Sequence, residues 1–205
     1  MGRASRMPPA RQDEDTSPRR ADAERNISTI MATALELFST NAGVSMADVA
    51  RSAGLGRVTV YAHFPSRAAL LQALVRHSMA QAEQSMDAEL TDGDAPADRM
   101  LARVIGATWR VLDRYRKLRV HALSELGSEW LSEQHDPVFQ RVEKLIARGR
   151  EQGVFRRDQP IGWMVTVVFS LIHTAGDEVE AGRLSSGEAP GLLRSTLGSA
   201  LSPPA

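Results

Sequence analysis

The sequence of 205 residues contains no cysteine, and only 5% of its residues are aromatic. Without cysteine, a disulfide framework, a thiol nucleophile and a thiolate metal site are all excluded, which fits a reducing compartment. The longest strongly apolar run, residues 161–172, is too short for a bilayer span of ~20 residues. Residues 1–25 are polar and lack the apolar segment of a secretion signal. We therefore expect a cytoplasmic protein without a membrane partner.

An excess of charge of one sign is also missing, because 25 Lys and Arg residues balance 25 Asp and Glu residues. The balance is uneven along the chain, with a net charge of +3 over residues 1–80 and of −3 over residues 81–205. This mild polarity does not by itself indicate nucleic-acid binding. Contacts to phosphate would have to come from local placement, chiefly of Arg57, Arg67 and the N-terminal arm.

A helix-turn-helix pattern lies between Ser45 and Phe64. Ser45 and Asp48 have the spacing of a capping box, and Met46, Val49 and Ala50 follow at helical spacing as an apolar face. Gly54 stands where the chain must turn sharply. Leu55 and Val60 are the apolar residues that would hold a second helix against the first. The pattern predicts a recognition helix whose outward positions include Thr59, Tyr61 and His63.

This segment and the residues after it resemble the DNA-binding domain of the TetR/AcrR family of transcriptional regulators. The resemblance covers residues 23–75 and rests on these matching positions: Thr59, Val60, Tyr61, Ala62, His63, Phe64, Arg67 and Leu70. Gly56 and Val58 depart from the residues that are common in the family. Because both lie at the start of the recognition helix, they leave the base preference open.

The resemblance implies a sequence-specific regulator of double-stranded DNA, not an enzyme, with no cofactor and no metal. Repression is the commoner mode in the family, and activation stays open. We assign DNA contact to the following residues: Ser45, Gly56, Arg57, Val58, Thr59, Tyr61, His63 and Arg67. Arg57 can contact either guanine or phosphate, whereas Gly56 and Val58 are too small for readout through hydrogen bonds.

Helical periodicity continues through the rest of the chain, without a strand pattern or an internal repeat. We predict an all-α protein of about nine helices, with an N-terminal three-helix DNA-binding head and a C-terminal helical bundle for ligand binding and dimerisation. Residues 1–20 are assigned to a disordered arm, 21–65 to the head and 66–205 to the effector-binding and dimerisation domain. The expected helices in the body include 97–115, a short helix 118–126 and one that starts at Asp136–Pro137.

Two functions are implied for the body, homodimerisation on a palindromic operator and binding of a small effector. The last two helices are strongly apolar, and we assign to the dimer interface Val165, Val168, Phe169, Ile172, Leu193 and Leu197. Bulky and polar side chains elsewhere are assigned to an effector pocket: Met100, Val104, Thr108, Trp109, His121, Glu125, Trp130, Phe139 and Trp163. Because these faces concentrate little charge, a neutral, largely apolar or aromatic effector is favoured.

Two other functions remain open at this stage. A dimeric, architectural DNA-binding protein without an effector would show the same head. A metal-dependent helical enzyme would need more ligands than the i, i+4 pair His173 and Asp177, and His121 and Glu125 form a second such pair. Neither pair alone forms a metal site.

Overall fold

The computed structural model describes residues 17–40, 43–91 and 93–204. These residues form eight helices and no strand, which confirms the predicted fold class. The helices are α1 (Ser17–Thr40), α2 (Met46–Ser52), α3 (Arg57–His63), α4 (Arg67–Glu89), α5 (Ala97–Leu126), α6 (Ser128–Glu151), α7 (Ile161–Glu180) and α8 (Ala189–Leu201). Within these ranges no helix combines the length and the apolarity that a membrane crossing requires.

The turn between α2 and α3 forms as the sequence predicts. The Asp48 amide donates to Ser45 Oγ over 3.2 Å, and the Ser45 amide donates to Asp48 Oδ2 over 3.0 Å. This reciprocal capping box fixes the start of α2. Gly54 adopts a φ of 67°, a backbone conformation that residues with a Cβ atom rarely adopt.

The N-terminal helix is longer than predicted. It begins at Ser17 rather than at residue 21, so residues 17–20 belong to α1 and not to the expected arm. Arg20 pairs with Glu24 one turn further on, which favours helix at this end. The remainder of the predicted arm, residues 1–16, and the predicted helix end at residues 41 and 42 lie outside the described residues.

The predicted break in the middle of α5 is absent. This helix runs for 30 residues, because neither glycine nor proline lies between Tyr115 and Leu118 and the buried stripe continues through both. The next helix also begins earlier than predicted, at Ser128, after Gly127 turns the chain with a φ of 83°. Pro137 therefore lies inside α6, although it has no N–H to donate. The union of the two expected helices 97–115 and 118–126 into α5 accounts for eight helices in the described residues where about nine were expected.

The buried apolar side chains of the described residues form two cores. The first lies beneath α1, α2 and α3, but it also contains Leu70, Leu74, Tyr115, Leu118 and Leu131 from α4, α5 and α6. The second fills the space between α5, α6, α7 and α8. The core of the head therefore extends past residue 65 and includes parts of the body. As a result, the head and the body share side chains at their junction.

Candidate DNA-binding surface and ligand cavity

Helix α3 packs one face against the head and leaves the other in solvent. Val60 is fully buried in the head core. On the opposite side, Val58 is 86% exposed and Tyr61 is 48% exposed. Arg57 is exposed and forms no ion pair with any described residue. An exposed valine and tyrosine beside a free guanidinium supply both apolar and charged contacts, which is the mixture that a duplex groove can use.

The other residues assigned to DNA contact differ in position. Gly56 is exposed and immediately precedes α3, while Thr59 and His63 are half-buried on that helix. Ser45 is exposed, but its hydroxyl already takes part in the capping box. Their grouping around one short helix agrees with the sequence assignment, which stays a prediction.

Arg67 lies in an environment that the sequence did not predict. Its Nε donates to the Val44 carbonyl over 2.9 Å, and its guanidinium lies 5.1 Å from the centre of the Phe38 ring. It also forms an ion pair with Glu125 near the end of α5. The guanidinium therefore joins the head to the body, and its assignment as a DNA contact stays a prediction.

A cavity lies between α4, α5, α6 and α7. Its lining is largely apolar and consists of Val75, Ser78, Met79, Ala82, Thr108, Val111, Leu112, Tyr115, Arg116, Leu118, Arg119, Leu131, His135, Val138, Phe169, Ile172 and His173. The cavity volume is about 60 Å³. Sites for drug-sized ligands usually measure about 300–1,000 Å³, so this conformation is nearly closed.

The polar groups of the cavity are few and mostly uncharged. Burial, the nearby Arg119 charge and His135 lower the pKa of His173 to about 4. Burial also lowers the pKa of His135, whose Nδ1 donates to the Leu131 carbonyl over 2.6 Å. The two imidazole rings meet edge to face with centroids 5.7 Å apart. Both imidazoles are therefore neutral at pH 7.

Thr108 is a further polar group of the lining. Its side chain is 7% exposed, and its hydroxyl has no hydrogen-bond partner in the described part of the chain. A buried hydroxyl without a partner is costly, so a polar atom of a bound ligand would stabilise it.

Of the residues assigned to the effector pocket, the structure places only Thr108 in the lining of this cavity. Met100, Val104 and Trp109 are buried in the body core, and the Trp109 Nε1 donates to the Ser186 carbonyl. Phe139 packs behind the cavity against Phe169, with ring centroids 4.3 Å apart.

The four remaining effector assignments lie elsewhere. His121 packs its ring against Phe38, and Glu125 pairs with Arg67, so both belong to the junction with the head. The Arg76 guanidinium lies over the Trp130 ring. Trp163 is 56% exposed on the outer face of α7. Bulk and polarity alone misplaced these residues, because they do not specify which face of a helix meets a cavity.

Several cavity residues were missed. Leu131, His135 and Val138 follow i, i+4, i+7 spacing on α6, which is the signal that could have found them. That signal was hidden because the sequence suggested a helix start at Asp136–Pro137, which divided this stripe.

The predicted dimer residues are core residues of the single chain. All six are at most 7% exposed within one protomer: Val165, Val168, Phe169, Ile172, Leu193 and Leu197. The assignment is corrected because α7 is apolar on most sides and turns this stripe toward the body. The outer face of α7 and α8 instead carries Trp163 and Leu192, which are 56% and 54% exposed.

The residue pairs considered as metal ligands have other contacts. Asp177 lies 3.9 Å from Arg119, and His173 meets His135. Among the residues that the structure describes, no three or more His, Cys, Asp or Glu side chains form a group that could hold a metal ion.

The capped helix-turn-helix and its exposed α3 define the class of a DNA-binding transcriptional regulator. Residues 30–74 match the family described as bacterial regulatory proteins, tetR family. The chain is also 34% identical to the HTH-type transcriptional repressor LfrR of Mycolicibacterium smegmatis over 164 residues. The aligned residues cover 78% of this chain and 82% of LfrR. The chain belongs to the TetR family of transcriptional regulators.

Solved structures show the same fold. LfrR from Mycobacterium smegmatis in complex with proflavine matches with a TM-score of 0.70 and 21% identity, covering 88% of this chain and 98% of LfrR. A putative transcriptional regulator from Saccharomonospora viridis in complex with choline matches with a TM-score of 0.74 and 24% identity, covering 86% and 95% of the two chains. FadR from Bacillus subtilis in complex with stearoyl-CoA matches with a TM-score of 0.73 and 17% identity, over 85% and 98%.

Proposed function

We propose that this regulator is a homodimeric repressor that a small, largely apolar effector releases from a palindromic operator in the cytoplasm. One observation carries the effector part of the proposal. Tyr115, Leu118 and Leu131 line the cavity and also belong to the apolar core beneath the head. A ligand that displaces these side chains would therefore act directly on the packing that orients α3.

The size of the cavity supports a conformational change on binding. Its volume of about 60 Å³ is well below the about 300 Å³ at the lower end of drug-sized sites. An effector of that size would therefore favour a conformer in which the surrounding helices have moved apart. It releases DNA only if it binds that conformer more tightly than the DNA-binding one, because equal affinity shifts no population.

For DNA contact we propose that α3 enters the major groove. Its exposed residues would divide the contacts, with Arg57 on guanine or phosphate and Val58 against thymine methyl groups. A single head presents one short helix, so two heads on adjacent major grooves, ~34–36 Å apart, would double the contacts and read a palindrome.

We propose that the outer face of α7 and α8 forms the dimer. Trp163 and Leu192 are large apolar side chains in solvent, and Leu171 and Thr196 line a shallow groove beside Leu192. Burial of such a face against a second copy would remove apolar area from water. Sedimentation of the wild type and of Leu192→Glu tests the proposal. We expect a dimer that the substitution weakens, and an unchanged dimer would place the interface elsewhere.

Selection of bound duplexes from a random pool at a stated salt concentration tests the DNA part. We expect a palindromic site, followed by release of that site when a ligand raises the melting temperature of the protein. Binding that is only nonspecific and steeply salt-dependent would instead favour an architectural protein. If the protein binds a specific site and no stabilising ligand releases it, the result would support a sequence-specific regulator and contradict the effector mechanism.

A further inference from the structure

The charges around the cavity narrow the chemistry of its ligand. Among the described residues the lining contains two arginines, Arg116 and Arg119, and no carboxylate. The other ionisable lining groups that could carry a positive charge, His135 and His173, have lowered pKa values and are neutral at pH 7. A cation that enters this space would meet two guanidinium groups and no carboxylate in the lining itself.

The two arginines differ in how well they are already paired. Arg116 donates from Nε to Glu180 over 2.8 Å and also pairs with Asp113. Arg119 has one carboxylate within 4.0 Å in the described part of the chain, Asp177 at 3.9 Å. The Asp177 side chain is 71% exposed, so this contact is long and well solvated. Arg119 therefore retains capacity to bind an acidic group.

Neutral imidazoles stand beside this guanidinium. His135 uses its Nδ1 hydrogen on the Leu131 carbonyl, which leaves Nε2 of the neutral ring as an acceptor. The Arg119 charge contributes to the lowered pKa of both His135 and His173, so all three groups lie close together. This end of the cavity offers both a guanidinium donor and an imidazole nitrogen that can accept a hydrogen bond.

The other polar end of the cavity is the unpartnered Thr108 hydroxyl. Thr108 and Arg119 are eleven residues apart on α5, which corresponds to about 16 Å along the helix axis. Between these positions α5 contributes Val111, Leu112 and Leu118 to the lining, together with Tyr115 and Arg116. The Tyr115 hydroxyl already donates to Gln81, and Arg116 is already paired with Glu180 and Asp113. Along α5, the polar groups that retain capacity for a ligand therefore lie at two separated points, Thr108 and Arg119.

We infer that the effector is an elongated aromatic or aliphatic organic acid, whose carboxylate pairs with Arg119 and whose far end carries a hydrogen-bonding group for Thr108. This inference rests on the proposed effector function of the cavity and adds the charge and the shape of the ligand. It replaces the neutral effector favoured by the sequence, which could not place Arg119 at the cavity.

Three para-linked biphenyl probes of one size test the inference on the full-length protein without DNA. They carry a carboxylate, a methylammonium group, or a carboxylate with a hydroxyl on the far ring. Calorimetry should give a dissociation constant at least about tenfold lower for the carboxylate than for the ammonium, as a charge contact in a partly desolvated site would produce. The far hydroxyl should lower the constant further, by about threefold or more.

Matched variants assign these differences to residues. Arg119→Gln should remove the preference for the carboxylate, whereas Arg110→Gln, an exposed arginine on the same helix, should keep it. Thr108→Val should remove only the gain from the far hydroxyl. Melting temperatures of the unliganded variants check that each one is folded.

The outcomes separate this inference from the proposed function. Equal or tighter binding of the ammonium, or a preference that survives Arg119→Gln, would overturn the acidic ligand while the cavity remained an effector site. Failure of all three probes to bind at millimolar concentration would also overturn it. In each case the duplex selection described above reports independently on whether the protein recognises an operator.

Discussion

The head and the body both leave large apolar side chains in solvent, but in different surroundings. On α3, Val58 and Tyr61 stand next to the unpaired Arg57. On α7 and α8, Trp163 is exposed, and Leu192 is exposed between the apolar Leu171 on one side and the oppositely charged Glu188 and Arg194 on the other. An unpaired positive charge suits a polyanion, whereas an apolar face with charges of both signs at its border suits a second protein surface. The two exposed faces therefore fit two different partners.

The interiors of the two regions differ as well. The body core is formed mainly within α5 to α8, while the head core depends on Tyr115, Leu118, Ala122 and Leu131 of the body. Movement of α5 and α6 would therefore disturb the packing beneath the head. Under the proposed mechanism, this asymmetry connects ligand binding in the cavity with the position of α3.

The largest effect is expected for Leu118→Ala. Leu118 is 1% exposed and belongs to both the cavity lining and the head core, so truncation should lower the free energy of unfolding by about 2–5 kcal/mol. Denaturant titration followed by fluorescence measures the loss, and we expect one cooperative transition. Val120→Ala on the same helix, where the side chain is 58% exposed, should change the free energy by less than about 0.5 kcal/mol. Separate transitions for the head and the body would contradict a shared core.

A smaller, purely functional effect is expected for Tyr61→Ala. Tyr61 is 48% exposed, so its removal should weaken operator binding by about 1–3 kcal/mol without lowering the melting temperature of the protein. Fluorescence anisotropy with the selected duplex measures the affinity. Val60→Ala is the contrasting variant, because Val60 is fully buried and its loss should lower stability first. Wild-type affinity in Tyr61→Ala would remove this side chain from the DNA contact.

A weaker effect is expected at the junction for Glu125→Gln. The substitution removes the charge that holds Arg67, and both side chains are less than a third exposed, so stability should fall by up to about 1 kcal/mol. Because the pair orients the head on α5, operator affinity should fall by severalfold even at temperatures where the protein is fully folded. Glu24→Gln breaks a well-exposed pair with Arg20 and should leave affinity unchanged. An equal loss in both variants would argue against an orienting role.

The last prediction concerns pH. The pKa of His173 falls from 6.5 to about 4 in the folded protein, chiefly through burial, so the unfolded chain binds more protons between these values. The free energy of unfolding should therefore decrease as the pH falls from 7 towards 4, and His135 should act in the same direction. His173→Gln should flatten this dependence, and the exposed His77→Gln should not. Denaturation curves at several pH values measure both slopes.

The sequence predicted the parts of the molecule that depend on neighbouring residues. The capping box of Ser45 and Asp48 and the turn at Gly54 are local, because hydrogen bonds and backbone sterics within a few residues decide them. The start of α4 is local in the same way, because the Ser66 side chain accepts a hydrogen bond from the Ala69 amide. The helical pattern was strong enough throughout the described chain to give the fold class.

Sequence alone determined that this is a helical regulator with a capped helix-turn-helix, because those features depend on the spacing of residues that are close together in the chain. Only the tertiary structure decided which apolar faces meet each other. It turned Val168 and Leu197 inward, left Trp163 outside, and placed His135 and Arg119 at one cavity. Periodicity identifies an apolar stripe but not its partner, since any other apolar stripe can cover it. Contacts between residues distant in sequence, such as Arg67 with Glu125, depend on that choice of partners.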